Sequence, residues 1–148
     1  MRRAGVDDAP AVAEVWLRSR HASVPAIPAP VHSDDEVRAY FDWVVLPELP
    51  TWVIERDGHV VALLVLRGGW IEHLYVDPEW TGQGLGSQFL GHAKQLHPDR
   101  LDLWTFQGNT GARRFYERHG FTAVETTDGD NEEGAPDVHY RWRGSDDR

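Results

Sequence analysis

The stretch that decides the fold runs from Asp77 to Leu90 and reads DPEWTGQGLGSQFL. In it Gly82, Gly84 and Gly86 alternate with other residues, and an apolar run that suits a helix follows. The first N–H groups of a helix lack partners within the helix, and the helix dipole favours negative charge there. Glycine also lets an anion approach the backbone closely. One glycine would indicate only a tight turn, but three in alternation predict an anion-binding turn between a strand and a helix.

Two nucleotide-binding motifs compete for this stretch, and neither fits well. The phosphate loop of nucleotide hydrolases has a lysine directly after its last glycine, and none of these glycines is followed by one. The dinucleotide fingerprint G-x-G-x-x-G starts correctly at Gly82 but has Ser87 at its third glycine position. The preceding strand also lies in the middle of the chain and not in an opening βαβ unit. A nucleotide-binding enzyme is therefore the weakest of the competing interpretations.

Length and composition predict one soluble domain over residues 1–148, with 41% hydrophobic and 26% charged residues. No apolar run approaches the length of a membrane span, and the N-terminus MRRAGVDDAP has no apolar segment behind its arginines. We therefore expect a cytoplasmic protein with no membrane partner. The chain has no cysteine, which excludes disulfides, thiolate metal sites and a cysteine nucleophile.

The formal net charge of -9 bears on the partners of the protein. Phosphate contacts need a basic face, so this charge argues against nucleic-acid binding. An acidic cleft would instead concentrate a cationic substrate, although the charge also serves solubility alone. The histidines show no metal-ligand spacing such as H-E-x-x-H, so no metal is expected. Monomer and homodimer both remain open.

Turn and cap signals predict the element order β-α-α-β-β-β-α-β-α-β-β. A short edge strand over residues 2–6 comes first, and a helix begins near Asp8. Ser33 and Glu36 form a capping-box pattern that starts a second helix, which Pro47 and Pro50 end. The order predicts an α/β (α+β) fold with a mixed, mostly antiparallel sheet of six to seven strands and about four helices on its faces. The other predicted elements are strands over residues 51–55, 59–66, 70–76, 101–106, 121–126 and 138–142, helices after Gly84 and after Asn109, and a loose tail over residues 144–148.

Two motifs resemble those of the GNAT N-acetyltransferases. Residues 74–78 (LYVDP) followed by residues 82–86 (GQGLG) are similar to the family's acyl-coenzyme A loop between a strand and a helix. Residues 109–121 (NTGARRFYERHGF) are similar to its downstream motif N-x-x-A-x-x-[F/L]-Y-E-x-x-G-F. The resemblance covers the whole chain, most firmly residues 51–126, and implies the GNAT fold. One departure is Thr81, because the family usually has Arg or Gln there; a charged contact to the pyrophosphate is then missing or comes from elsewhere.

The resemblance implies acetyl-CoA as cosubstrate, without a metal. Its pyrophosphate would lie on the N–H groups from Gly82 to Ser87, and its pantetheine arm would run along residues 74–76. In the family this strand splays from the next one, here residues 101–106, and a backbone N–H near Tyr75 or Val76 donates to the thioester carbonyl. The implied donor-binding residues are Leu74, Tyr75, Val76, Thr81, Gly82, Gln83, Gly84, Leu85, Gly86, Ser87, Asn109, Ala112 and Phe115.

The resemblance also implies the catalytic residues. Tyr116 would act as general acid, by protonating the leaving thiolate or donating a hydrogen bond to it, and the alternative is a core aromatic. Glu72 would act as general base, because several relatives have a glutamate on this strand; the alternative is a solvated residue at the strand end. Strict alternation would put Glu72 on the face of Leu74 and Val76, with His73 on the other.

An amine acceptor and direct transfer in a ternary complex complete the implied reaction. The acceptor would be a small-molecule or peptide amine, and the acids of residues 128–133 favour a cationic one. Core packing and plain solvation are the alternatives for the residues named here. A second class of function is a non-catalytic acyl-CoA-binding module, which Thr81 favours and which the intact Tyr116 and Asn109 disfavour. The candidate acceptor-binding residues are Trp16, His21, Tyr40 and Glu133.

Overall fold

The computed structural model describes residues 1–25 and 27–144. Its strands are β1 (Arg2–Arg3), β2 (Thr51–Arg56), β3 (His59–Arg67), β4 (Trp70–Val76), β5 (Arg100–Phe106), β6 (Thr122–Thr127) and β7 (Asp137–Arg143). They form one sheet in the order β1-β2-β3-β4-β5-β7-β6, in which β4 and β5 run parallel and the other neighbours antiparallel. The predicted mixed, mostly antiparallel sheet is confirmed. Of the expected tail over residues 144–148, only Gly144 falls within the described residues.

Four helices lie against this sheet: α1 (Ala9–Ala22), α2 (Asp34–Tyr40), α3 (Leu85–Leu96) and α4 (Thr110–Arg118). The capping box at Ser33 is confirmed, because the Ser33 and Glu36 side chains each accept from the other's backbone N–H. Asn109 likewise caps α4 by accepting from the N–H of Ala112 at 3.2 Å. No helix in the described part of the chain is both long and apolar enough to cross a membrane.

The expected end of the edge strand was wrong, and the second helix contains a turn that the sequence did not predict. The edge strand ends at Arg3, because Asp8 accepts from the N–H of Gly5 at 2.8 Å and starts a 3-10 turn over Val6–Asp8. The helical segment that begins with α2 continues through a π-helical turn, Phe41–Val45, into a short α turn, Leu46–Glu48, and so ends between Pro47 and Pro50. The wider π turn leaves room for the proline ring, which a regular helix would not.

The sheet separates two apolar layers. On one face α1 and the π turn that follows α2 bury Val12 and Phe41 against Leu63 of β3. On the other face α3 and α4 bury Phe89 and Tyr116 against β3, β5 and β7. Strand β3 contributes side chains to both layers, because successive side chains of a strand point to opposite faces. The two layers hold β4 between them and so fix the position of the strand that enters the site.

Strand β4 has two irregularities that matter for function. Its pairing with β5 is confined to Trp70 and Asp102, so the two strands splay beyond that point. Its pairing with β3 is interrupted by a bulge: Ile71 lies opposite Leu66 and His73 opposite Val65, which leaves Glu72 as the extra residue. The splay expected from the resemblance is therefore present, and the gap opens toward the C-terminal ends of both strands.

Candidate active site

The gap between β4 and β5 forms part of a cavity of about 710 Å³. Residues from both faces of the sheet line it: Tyr75 lies on the α1 side, whereas Leu74 and Val76 pack against the α3 and α4 side. The cavity is lined by Tyr116 and by every predicted donor-binding residue except Gln83. The sequence did not predict the remaining lining residues, which are Ser19, Ala22, Ser23, Ile27, Pro78, Trp80, Gly111 and Arg118.

The three glycines of the loop serve two different purposes. Gly82 and Gly84 have φ angles of 77° and 78°, a left-handed conformation that glycine adopts without steric cost. Gly86 has ordinary backbone angles but lies under the ring of Phe115, where an added Cβ would lie 2.9 Å from Cζ. The first two glycines thus shape the turn before α3, and the third lets α3 and α4 approach each other.

Helix α1 anchors the start of this loop. The carboxylate of Asp77 is only 3% exposed; it forms an ion pair with Arg18 and accepts from the N–H of Glu79 at 3.0 Å. The Ser19 hydroxyl donates to the carbonyl oxygen of Val76 at 2.8 Å. The sequence offered one signal for these contacts, because Ser19 is a polar residue that continues the apolar face of its helix.

Tyr116 lies buried in the apolar layer on the α3 and α4 side, at the wall of the cavity, with 7% of its surface exposed. Burial, and then the neighbouring Tyr75, raise the pKa of its hydroxyl well above the ordinary value. The hydroxyl makes no hydrogen bond to another described residue, although ring contacts with Phe115, Phe121 and Tyr140 hold the side chain in place. At neutral pH the site therefore contains a protonated phenol whose O–H is free to donate to a ligand.

An aromatic cluster forms the α1 side of the site. The ring of Tyr75 lies 5.9 Å from that of Trp16, and the Tyr40 hydroxyl lies 3.2 Å from Nε2 of His73. Burial, followed by the positive charges of Arg20 and Arg67, lowers the pKa of His73 to about 4, so its imidazole is neutral at pH 7. Two of the candidate acceptor-binding residues, Trp16 and Tyr40, therefore lie in one aromatic cluster with His73 and Tyr75.

Glu72 does not lie where strict alternation places it. Because it is the extra residue of the bulge, it is not aligned with Leu74 and Val76, and its charge contributes, after burial, to the raised pKa of Tyr40. Its Oε1 accepts from Nε of Arg67 at 3.2 Å, and it does not line the cavity. The expected orientation was wrong, since a bulge puts two residues opposite one and nothing in the local sequence marks it.

The other two candidate acceptor residues differ in position. His21 is exposed, lies 3.1 Å from the carboxylate of Asp34 and does not line the cavity. The charge of Glu133 contributes to the raised pKa of Tyr75, after burial, so the acidic loop before β7 lies near the site. A contact of 3.2 Å between His32 and Glu132 ties that loop to the segment between α1 and α2.

Two arginines supply positive charge around the site. Arg20 is 6% exposed and lies over the rings of Trp16 and Phe106, at 4.9 and 5.7 Å, and Arg118 lines the cavity at the end of α4. Helical periodicity could have identified Arg118, because it lies three residues after Phe115 on the face of the helix that meets the loop. Among the described residues no group of three or more His, Asp or Glu side chains is placed to hold a metal ion.

Comparison with known proteins agrees with this geometry. The model of the Acetyltransferase (GNAT) family matches residues 13–121. The chain belongs to this family. It is 30% identical over 128 residues to the peptidyl-lysine N-acetyltransferase YiaC of Escherichia coli, with 84% of each chain covered. The resemblance drawn from residues 74–86 and 109–121 is thereby confirmed.

Solved structures of GNAT proteins show the same fold. The apo form of YjaB from Escherichia coli superposes with a TM-score of 0.77 at 24% identity, with 97% of each chain covered. The PaiA N-acetyltransferase of Thermoplasma acidophilum, solved in complex with coenzyme A, gives a TM-score of 0.73 at 16% identity, with 96% of each chain covered. The expected GNAT fold, with a seven-stranded sheet and four helices, is confirmed, and the chain is an acyltransferase by family.

Proposed function

We propose that this GNAT protein transfers the acetyl group of acetyl-CoA directly to a primary amine in a ternary complex. The observation that carries the proposal is the cavity in the β4–β5 gap, which joins the glycine loop, Tyr116 and the aromatic cluster of the α1 face. Such a cavity suits a donor whose anionic end binds at the glycine loop and whose reactive end lies near Tyr116. The coenzyme A held by the Thermoplasma acidophilum neighbour supports the same donor here.

Different residues of the cavity would bind different parts of acetyl-CoA. The N–H groups from Gly82 to Ser87 would hold its phosphates at the start of α3. The edge of β4 at residues 74–76 would hold the pantetheine arm in the gap, and Asn109 would contact that arm while it caps α4. Acetyl-CoA supplies the reactive thioester, and the chain supplies its orientation.

Tyr116 would stabilise the departing thiolate by donating a hydrogen bond. Full proton transfer is unfavourable in this setting, because the raised pKa of the phenol exceeds that of a thiol, which is about 8.5. A preorganised donor directed at developing negative charge is a strong catalytic contribution in a buried site. The role that the sequence predicted for Tyr116 is therefore refined to that of a hydrogen-bond donor.

The acceptor amine must be neutral when it attacks, and the charges of the α1 face favour that state. Arg20 makes no ion pair with a described residue, and its charge lowers the pKa of the neighbouring His73 and opposes the rise at Tyr75. An amine bound beside it would lose its proton more readily for the same reason. We propose Glu72 as the proton acceptor through water, at the edge of the cluster near Tyr40.

For the acceptor we propose a lysine side chain in a peptide. The name of the Escherichia coli relative YiaC supports a peptidyl lysine, and the acids of residues 128–133 next to the site suit a basic peptide. The aromatic cluster would hold the aliphatic part of the lysine. We also propose a cytoplasmic location, which suits a chain without cysteine.

A thiol-release assay with acetyl-CoA tests the proposal. We expect release with a lysine peptide and none with the same peptide acetylated on its lysine; a polyamine and a free amino acid complete the panel. Because Lys94 is the only lysine of the chain, intact mass identifies any self-acetylation at once. If calorimetry shows that acetyl-CoA binds but none of these amines causes thiol release, the result would favour a non-catalytic acyl-CoA-binding module, which Thr81 also favours. Binding of ATP or NAD without coenzyme A would overturn both functions.

A further inference from the structure

The cavity carries a single formal charge. Among the described residues that line it, Arg118 is the only one with a charged side chain, and no carboxylate accompanies it. The guanidinium is exposed and makes no ion pair with a described residue. In a chain with a net charge of -9, a lone cation at the mouth of a cavity indicates an anionic ligand.

The glycine loop cannot supply that charge itself. Residues 77–90 contain no Arg, Lys or His, and Thr81 uses its hydroxyl to donate to the carbonyl oxygen of Pro78 at 3.3 Å. The loop therefore offers backbone N–H groups and small polar side chains to a phosphate, but no formal charge. An ionic contact at this end of the cavity must come from a neighbouring element.

The end of α4 is that element. Oγ of Ser87, in the first turn of α3, lies 3.0 Å from Nε2 of His119, and the carbonyl oxygen of His119 accepts from Nζ of Lys94 at 2.7 Å. Burial, followed by the positive charges of Lys94 and Arg118, lowers the pKa of His119. The Ser87 contact holds the end of α4 against the first turn of α3, and the Lys94 contact holds it against the last turn, with Arg118 lining the cavity beside the loop.

We propose that Arg118 binds a phosphate group of the acyl donor and supplies the ionic contact that the loop lacks at Thr81. A guanidinium forms paired, charge-assisted hydrogen bonds with phosphate oxygens, which backbone N–H groups alone do not replace. The inference rests on the proposed function, because it assumes a coenzyme A thioester as donor. Coenzyme A carries phosphate both in its diphosphate bridge and at the ribose 3′ position, and either can be the partner.

Calorimetry of Arg118→Gln with acetyl-CoA tests the contact, with Arg114→Gln as the matched control. Arg114 is exposed on the same helix, makes no ion pair with a described residue and does not line the cavity. We expect Arg118→Gln to weaken binding by about tenfold, the size of one charge-assisted hydrogen bond at a partly exposed site. Arg114→Gln should stay within about twofold of wild type, and both variants should keep the wild-type thermal midpoint.

Acetyl-3′-dephospho-CoA identifies the phosphate. If Arg118 contacts the 3′-phosphate, the difference between wild type and Arg118→Gln disappears with this donor; if it contacts the diphosphate, the difference persists. The double variant Thr81→Arg with Arg118→Gln should return to within about threefold of wild type, and a failure to do so would overturn the idea that Arg118 stands in for a charge at position 81. If Arg118→Gln binds each donor as tightly as Arg114→Gln does, Arg118 makes no contact with a phosphate of the donor. Wild-type protein that binds neither donor would instead overturn the proposed function.

Discussion

Tyr116 combines three properties at the scale of a single residue: a fixed ring, a raised pKa and a hydroxyl that no described residue engages. If it donates to the departing thiolate, Tyr116→Phe should lower kcat by about ten- to a thousandfold, because one donor to developing charge is removed. Donor affinity should change little, since the interaction forms in the transition state. Steady-state thiol-release kinetics measure kcat, and calorimetry measures the affinity for acetyl-CoA. An unchanged kcat would reassign Tyr116 to packing.

His73 makes a pH-dependent contribution to stability. Its pKa is about 4 in the folded protein and near 6.5 when unfolded, so between these values the unfolded chain binds a proton that the folded protein does not. Stability therefore falls as the pH drops from about 6.5 toward 4, by up to about 1.4 kcal/mol per pH unit from this group.

The change His73→Gln removes the titrating group and keeps an acceptor for Tyr40. We expect the free energy of unfolding, measured in urea from pH 7.5 to 4.5, to fall less steeply for this variant than for wild type. His59→Gln, at the exposed start of β3, serves as control and should keep the wild-type slope. Parallel curves for wild type and His73→Gln would contradict the burial of a neutral imidazole.

At the scale of elements, the packing of α3 on α4 depends on Gly86. In Gly86→Ala the new Cβ would lie 2.9 Å from Cζ of Phe115, so the ring or the helix must shift. We expect a loss of about 1–3 kcal/mol in the free energy of unfolding, as for other overpacked contacts. Chemical denaturation measures it, and donor affinity should fall as well, because Phe115 lines the cavity.

Gly91, on the same helix, provides the control for this prediction. Nothing lies within 4 Å of a Cβ built there, so Gly91→Ala should be neutral or stabilising by up to about 1 kcal/mol through helix propensity. The double variant Gly86→Ala with Phe115→Leu should regain part of the loss. If Gly86→Ala and Gly91→Ala are equally stable, the close approach of the two helices is not required.

Elements were predictable where the chain carries local signals, and unpredictable where it does not. The capping box at Ser33, the cap at Asn109 and the glycine loop each act over a few residues, so each revealed an element and its place in the order. The bulge at Glu72 and the π turn before Pro47 depend instead on how neighbouring strands and helices pack. Both shift the expected geometry by only one residue or one turn, but the bulge moves the predicted base away from Leu74 and Val76.

At the scale of the whole molecule, the site was predictable on its donor side and much less so on its acceptor side. The donor loop and Tyr116 belong to two compact motifs, and residues 13–121 match one family model. The contacts of Arg18 with Asp77 and of Ser19 with Val76 join residues more than fifty positions apart. They arise only when α1 crosses the sheet, so no local pattern could identify them.

The charge of the whole molecule bears on the acceptor, because the acidic loop before β7 lies close enough to influence Tyr75. For a lysine peptide flanked by arginines, Glu133→Gln should raise KM by about two- to fivefold and leave kcat unchanged, since the charge attracts the peptide without touching the reacting atoms. The effect should shrink in high salt, because exposed charges are screened. Glu48→Gln, at the exposed end of the segment that follows α2, should leave KM unchanged, as should Glu133→Gln for a peptide with neutral flanks. An equal rise in KM for charged and neutral peptides would show that Glu133 shapes the site sterically and does not select a basic acceptor.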